Sequence, residues 1–263
     1  MNKISIFLIS FLLFANAATA KIDAPEEGWS VVKSRHFLVY YKDVPIDFVH
    51  AVKSAAETNF KEIFDNLGLG IGAGWDIDER AKIYIFPSQE EYIASGKTYK
   101  WSNGMALVQE KIIRTFPLDH GFFDSVLPHE LGHIIFRKFV GFEVELPLWF
   151  EEGVAMYQEK AKRWGANKFV KDAMKNKKFM DLKELTNTRF SKTTKQEAVD
   201  LFYAESASVI NFLINEYGEE RFYRFCKDLN EGFTFAASFE KAYPQLRTME
   251  RFNKRWIEYI EKL

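Results

Sequence analysis

Cysteine is nearly missing from this chain of 263 residues, and its one copy, Cys226, lies among Phe222, Tyr223 and Phe225 in a stretch with helical spacing. One cysteine excludes an internal disulfide and a thiolate-rich structural zinc site. The fold must therefore rest on packing, helped at most by a metal held through nitrogen and oxygen. The aromatic neighbours of Cys226 place it in the core. Neither sign of charge is in excess, since 36 Lys and Arg stand against 37 Asp and Glu. Such a balance gives no global attraction to a polyanion, and nucleic acid is not expected as a partner. Beyond residue 14 no stretch approaches the roughly 20 apolar residues that cross a bilayer. Internal repeats and low-complexity linkers are also missing.

The one apolar run that stands out is at the start. Lys3 supplies a positive end, Ile4 to Phe14 an apolar middle, and Ala18-Thr19-Ala20 a small-x-small cleavage site. This layout predicts a secretory signal over residues 1–20, export to a periplasm or the extracellular space, and a mature chain from Lys21 with no stable membrane insertion. No cysteine follows the cleavage site, which argues against a lipid anchor there. The remainder, 21–263, is long enough for one domain with a sizeable core.

Apolar patterning divides that remainder. β-branched and aromatic residues from Trp29 to Tyr41 predict one long or two short strands, and Ala81 to Phe86 a buried one. Asp47 to Leu67 has helical spacing. Ser88 with Glu91 three residues on predicts a capped short helix. Met105 to Phe116 reads as an extended, edge-like segment. After Pro117 nearly every apolar segment is helical: Ser125–Val140, Leu148–Arg163, Tyr203–Tyr217, Glu220–Leu229 and Thr248–Leu263. The expected class is α+β, with an N-terminal mixed-sheet lobe (about 28–117) followed by a mainly helical lobe (about 118–263).

Chemistry concentrates at the junction. His129-Glu130-Leu131-Gly132-His133 places two imidazoles one turn apart on one helix face, a spacing that lets both reach one zinc ion. Glu130 points away from the ligands but remains close enough to act on a water beside the metal. Asp124 or Ser125 is available to cap this helix, and Pro128 is tolerated in its first turn. Glu152 is the candidate third ligand, in a second helix that Pro147 can open. Glu151 competes for the role, and Gly153 favours Glu152 by permitting close approach of the first helix. Three protein ligands leave the fourth position that a catalytic site needs.

His-Glu-x-x-His, eighteen intervening residues and then Glu within Trp149-Phe150-Glu151-Glu152-Gly153-Val154-Ala155 resembles the gluzincin metallopeptidases, most closely the bacterial peptidase MA-like domains. The resemblance implies a thermolysin-like catalytic domain over 21–263 with a zinc site in the cleft between the lobes. It assigns one Zn2+ to His129, His133 and Glu152, and the general-base role to Glu130. Tyr203-Ala204-Glu205-Ser206 is similar to the segment whose tyrosine supports the transition state, which implies that role for Tyr203. Aminopeptidases of the group carry a Gly-x-Met-Glu-Asn strand whose glutamate holds a free amine. Here Asn103-Gly104-Met105-Ala106-Leu107 lacks it, so the implied activity is cleavage within a peptide or protein substrate. The alternatives are a non-catalytic zinc-containing scaffold of the cell envelope and a zinc amidase acting on a non-protein amide.

Three further histidines have weaker claims. His36 and His50 read as surface or strand-edge residues, and His120 lies close enough to the histidine helix to orient a ligand or contact substrate. Lys160 to Lys178 holds eight basic residues and one acid, which reads as a solvated helical face with an anionic surface as the sharper alternative.

Overall fold

The segment from Trp29 to Tyr41 forms two short strands in the computed structural model, β1 (Ser30–Lys33) and β2 (Phe37–Tyr41), whose turn is closed by Ser34 donating to the Phe37 carbonyl. The structure describes residues 27–70, 75, 77–95, 103–118, 121–191 and 194–263, without the side chains of 161–164. The expected signal segment and His120 lie outside them. α1 (Ile46–Leu67) follows β2, then β3 (Ala81–Ile85), the short α2 (Gln89–Ala94), β4 (Gly104–Leu107) and β5 (Ile112–Thr115). Ser88 caps α2 by accepting the Glu91 N–H, as its sequence position predicts.

The sheet order is β1-β2-β3-β5-β4, with β2, β3 and β5 parallel and the outer two strands antiparallel to their neighbours. The stretch Met105 to Phe116 is therefore not one edge strand. It reverses around Lys111, whose φ of 54° makes the turn, so that β5 lies inside the sheet and only β4 is at the edge. Alternation along β2 and β3 buries both faces. Phe37, Val39, Ala81, Ile83 and Ile85 meet the helical core, while Leu38, Tyr40 and Tyr84 face an aromatic layer completed by Phe86, Tyr92 and Phe116.

The rest of the chain is helical: α3 (Leu127–Val140), α4 (Leu148–Gln158), α5 (Lys160–Lys175), α6 (Leu182–Asn187), α7 (Gln196–Tyr217), α8 (Glu219–Asn230), α9 (Phe235–Ala242) and α10 (Met249–Lys262). The class is α+β, a small mixed sheet followed by a mainly helical remainder. One apolar cluster nevertheless runs from Phe37 in the sheet to Ile260 in α10, so sheet and helices share a core. Phenylalanine fills its helical end. Phe150, Phe225, Phe235, Phe239 and Tyr243 meet ring to ring, and Cys226 is fully buried beside them.

Three helix boundaries differ from the pattern. A π-helical turn (Phe122–Val126) precedes α3, which begins only at Leu127 and has no side-chain cap from Asp124 or Ser125. The helix from Leu148 stops at Gln158, where Glu159 takes an extended backbone before α5 begins. The third starts early: Gln196 opens α7, so Tyr203 lies about two turns inside it. Among the described residues no helix is long and apolar enough to cross a membrane.

Glu205 of α7 is fully buried. One carboxyl oxygen accepts the Met180 N–H at 2.9 Å, and the other has no hydrogen-bond partner among the described residues. Burial pushes its pKa up to about 8, against a smaller opposing effect of the Met180 N–H. Between pH 4.5 and about 8 the folded chain thus keeps a proton that the unfolded chain has released, and stability falls as pH rises through that window. Glu205→Gln should remove this slope. Relative to wild type it should gain about 2–4 kcal/mol between the two limits, read from urea unfolding at a series of pH values; parallel profiles would refute the assignment.

Candidate metal centre

α3 sits between the sheet and the helices, packed against α1, α4, α8 and β4. Its 3.6-residue period stacks His129 and His133, whose rings meet edge to face with centroids 4.8 Å apart and Nε2 atoms 3.2 Å apart. Glu152 comes from α4, and its Oε2 lies 3.6 Å from His129 Nε2 and 3.7 Å from His133 Nε2. Donors on one tetrahedral ion at zinc–ligand lengths sit about 3.3–3.5 Å from one another. Two imidazole nitrogens and a carboxylate oxygen at this spacing fit a zinc-type ion. Among the described residues this is the one group of histidines and acids so arranged.

Local packing explains how α3 and α4 come together. A Cβ at Gly132 would lie 3.0 Å from Gln158 Cγ and 3.2 Å from Ala155 Cα, so glycine there permits the two helices to touch. Gly153 serves a different contact from the one expected. Its Cβ would fall 2.5 Å from the Ser206 carbonyl oxygen, so Gly153 admits α7 rather than α3. Arg137, one turn beyond His133 and buried, closes the hairpin between α3 and α4. It reaches Glu151 at 2.5–2.6 Å and donates to the carbonyls of Gly141 and Val144. Glu151 is thereby committed to Arg137, and Glu152 is the carboxylate that faces the histidines.

A fourth acid escapes notice in the sequence. Glu159, 2 % exposed, accepts from His129 Nδ1 at 2.9 Å and from the Ser125 hydroxyl. Donating Nδ1–H to a carboxylate fixes the ring and turns Nε2 toward Glu152, where its lone pair can serve a metal ion once the Nε2 proton is released. In the sequence Tyr157-Gln158-Glu159-Lys160 looks like helix surface. Only the extended backbone between α4 and α5 turns Glu159 inward.

The electrostatics follow from burial. Desolvation lowers the His129 pKa, but hydrogen bonds to Glu152 and Glu159 outweigh it and push the imidazole up to about 10. Burial raises Glu152, yet the attraction of His133 and bonds from both histidines hold it well below the usual carboxylate range. A cation among these donors would take the place of the extra proton on His129. Glu130 is shifted up, first by burial and further by Glu152, against the two imidazoles and a backbone bond from Ala106. β4 makes that bond because Gly104 lets it lie against the turn that leads into α3, where a Cβ would be 2.5 Å from Val126 Cγ1. Tyr203 is half-buried. Burial and then the charges of Glu152, Glu130 and Glu159 raise its pKa, so the phenol lies within reach of those charges and stays protonated.

The other sequence candidates lie apart. His36 donates from Nδ1 to Glu57 at 2.6 Å and stacks on Phe60, and His50 is exposed on α1. Neither joins a metal set.

Fold and site together define an α+β chain with a His-His-Glu cluster able to hold a metal ion. A family model of the peptidase MA superfamily matches residues 69–262, and the chain belongs to that superfamily. The match includes every residue of the cluster and leaves out β1, β2 and α1. Membership supports a peptidase-type hydrolase. No curated protein matches the sequence.

Replacing Glu159 tests the orienting contact directly. Glu159→Gln should weaken zinc binding by about 10–100-fold, measured by competition with a chromophoric chelator, with the circular-dichroism spectrum unchanged. Wild-type affinity in the variant would remove Glu159 from the site.

Proposed function

We propose that the chain is an exported zinc-dependent endopeptidase whose catalytic domain is of the gluzincin, thermolysin-like type, with the site in a cleft between sheet and helices. The observation that carries this reading is the cluster of His129, His133 and Glu152 at metal-ligand spacing with the half-buried Glu130 beside it. A zinc ion held there would polarise a substrate carbonyl and lower the pKa of a water. Export follows from the expected signal over residues 1–20.

Glu130 is the proton carrier. It accepts a proton from the attacking water as the C–O bond forms, and passes it to the departing amine nitrogen as the C–N bond breaks. A carboxyl shifted upward by burial suits both halves of that task. The Tyr203 hydroxyl, kept protonated by burial and by its acidic surroundings, donates to the oxyanion that develops on the carbonyl oxygen. β4 offers the edge of the sheet beside Glu130, where an extended substrate backbone can pair. Ala106 provides no carboxylate for a free amino terminus, which favours cleavage within a chain.

Glu130→Gln should retain zinc by elemental analysis and lose hydrolysis across a peptide library. His133→Ala should lose the metal itself. Substantial cleavage by Glu130→Gln would overturn the mechanism. A zinc-loaded wild type that cleaves a cell-wall-type amide but no peptide would overturn the substrate assignment. Tyr203→Phe should lower kcat by about 10²–10³ with little change in KM; an unchanged kcat would exclude the oxyanion role.

A further inference from the structure

We propose that the cavity between α5, α7 and α10 is a binding site for an acidic carbohydrate, distinct from the metal cluster. Its volume is about 780 Å³, within the range of small-molecule sites and enough for a few sugar rings. α4 links the two places, since Tyr157 lines the cavity five residues after Glu152, roughly 140° around the helix from the metal side.

The lining speaks for the ligand class. Its deep polar groups are Tyr157 and Asn211, only 5 % and 2 % exposed, and beside them Asn215 donates to the Tyr259 hydroxyl at 3.1 Å. Amides and phenols both give and accept hydrogen bonds, as hydroxyl-rich ligands require. Asn167 adds an acceptor. Its side chain lines the cavity, and its amide oxygen is buried without a partner among the described residues. A ligand that donates, such as a hydroxyl, satisfies it. A bare oxyanion does not.

Charge supplies the second half. Lys168, Lys171 and Lys175 lie along one face of α5 at the cavity, and Asp172 is the one acidic side chain among the lining residues. Lys168 and Lys175 share that carboxylate at 3.4 Å each, and Lys171 donates to the Glu261 carbonyl at 3.2 Å, so the side chains leave an excess of positive charge at the rim. These exposed pairs are weak and yield readily to a bound anion. An extended acidic peptide fits less well, because the walls are helices whose backbone groups are already paired and no strand edge is offered.

The test is isothermal titration of the full chain with trigalacturonate, maltotriose, inorganic phosphate and a tri-glutamate peptide. Binding of trigalacturonate is expected. It should weaken at least tenfold in Lys168→Ala/Lys171→Ala/Lys175→Ala and also in Asn167→Ala, with zinc content and thermal unfolding as in wild type. No binding of trigalacturonate, equal binding of maltotriose, displacement by equimolar phosphate, tighter binding of the peptide, or unchanged affinity in both variants would each overturn the proposal. None of these readouts needs peptide hydrolysis.

Discussion

The approach of α3 to α4 is the contact on which the candidate centre depends. Two helices joined by a short loop can lie side by side in many ways, and a His-His-Glu cluster tolerates displacement of only a few tenths of an ångström. Gly132 against Ala155 sets the separation, and Arg137 ties Glu151 to the loop carbonyls and fixes the rotation. α7, admitted by Gly153, then backs α4 from the other side and carries Tyr203 to the cluster. Each of these contacts uses a side chain that is missing or buried, so the geometry is held by packing and not by exposed pairs.

Acidity is the cost of this arrangement. Glu130, Glu152 and Glu159 converge on two imidazoles in a site that excludes most water, and three carboxylates with no cation would repel. The His129 imidazole answers that repulsion by holding a proton, and a metal ion among the three acids would answer it better. The same burial that makes the cluster costly lifts Glu130 and keeps Tyr203 protonated, which a proton carrier and an oxyanion donor need. The structural demand and the chemical one have the same source.

The sequence by itself determined the periodic parts. Alternation along β2 and β3, the helical spacing of α1, α3, α8 and α10, and the pairing of His129 with His133 are local consequences of chain geometry, so each was legible in a window of a few residues. Glu152 could be named because its interval and neighbours match a known pattern. Tertiary structure decided the rest. It split Met105–Phe116 into an edge strand and an inner one, because β5 finds its parallel partner in β3, far away in sequence. It broke the helix at Glu159, where the carboxylate turns inward to meet the His129 imidazole and the Ser125 hydroxyl. It assigned Gly153 to α7 and Glu151 to Arg137, two partnerships that no local pattern announces. Period and propensity act between neighbours in sequence, whereas close approach, buried charge and the orientation of a ligand are settled between residues that meet only when the chain has folded.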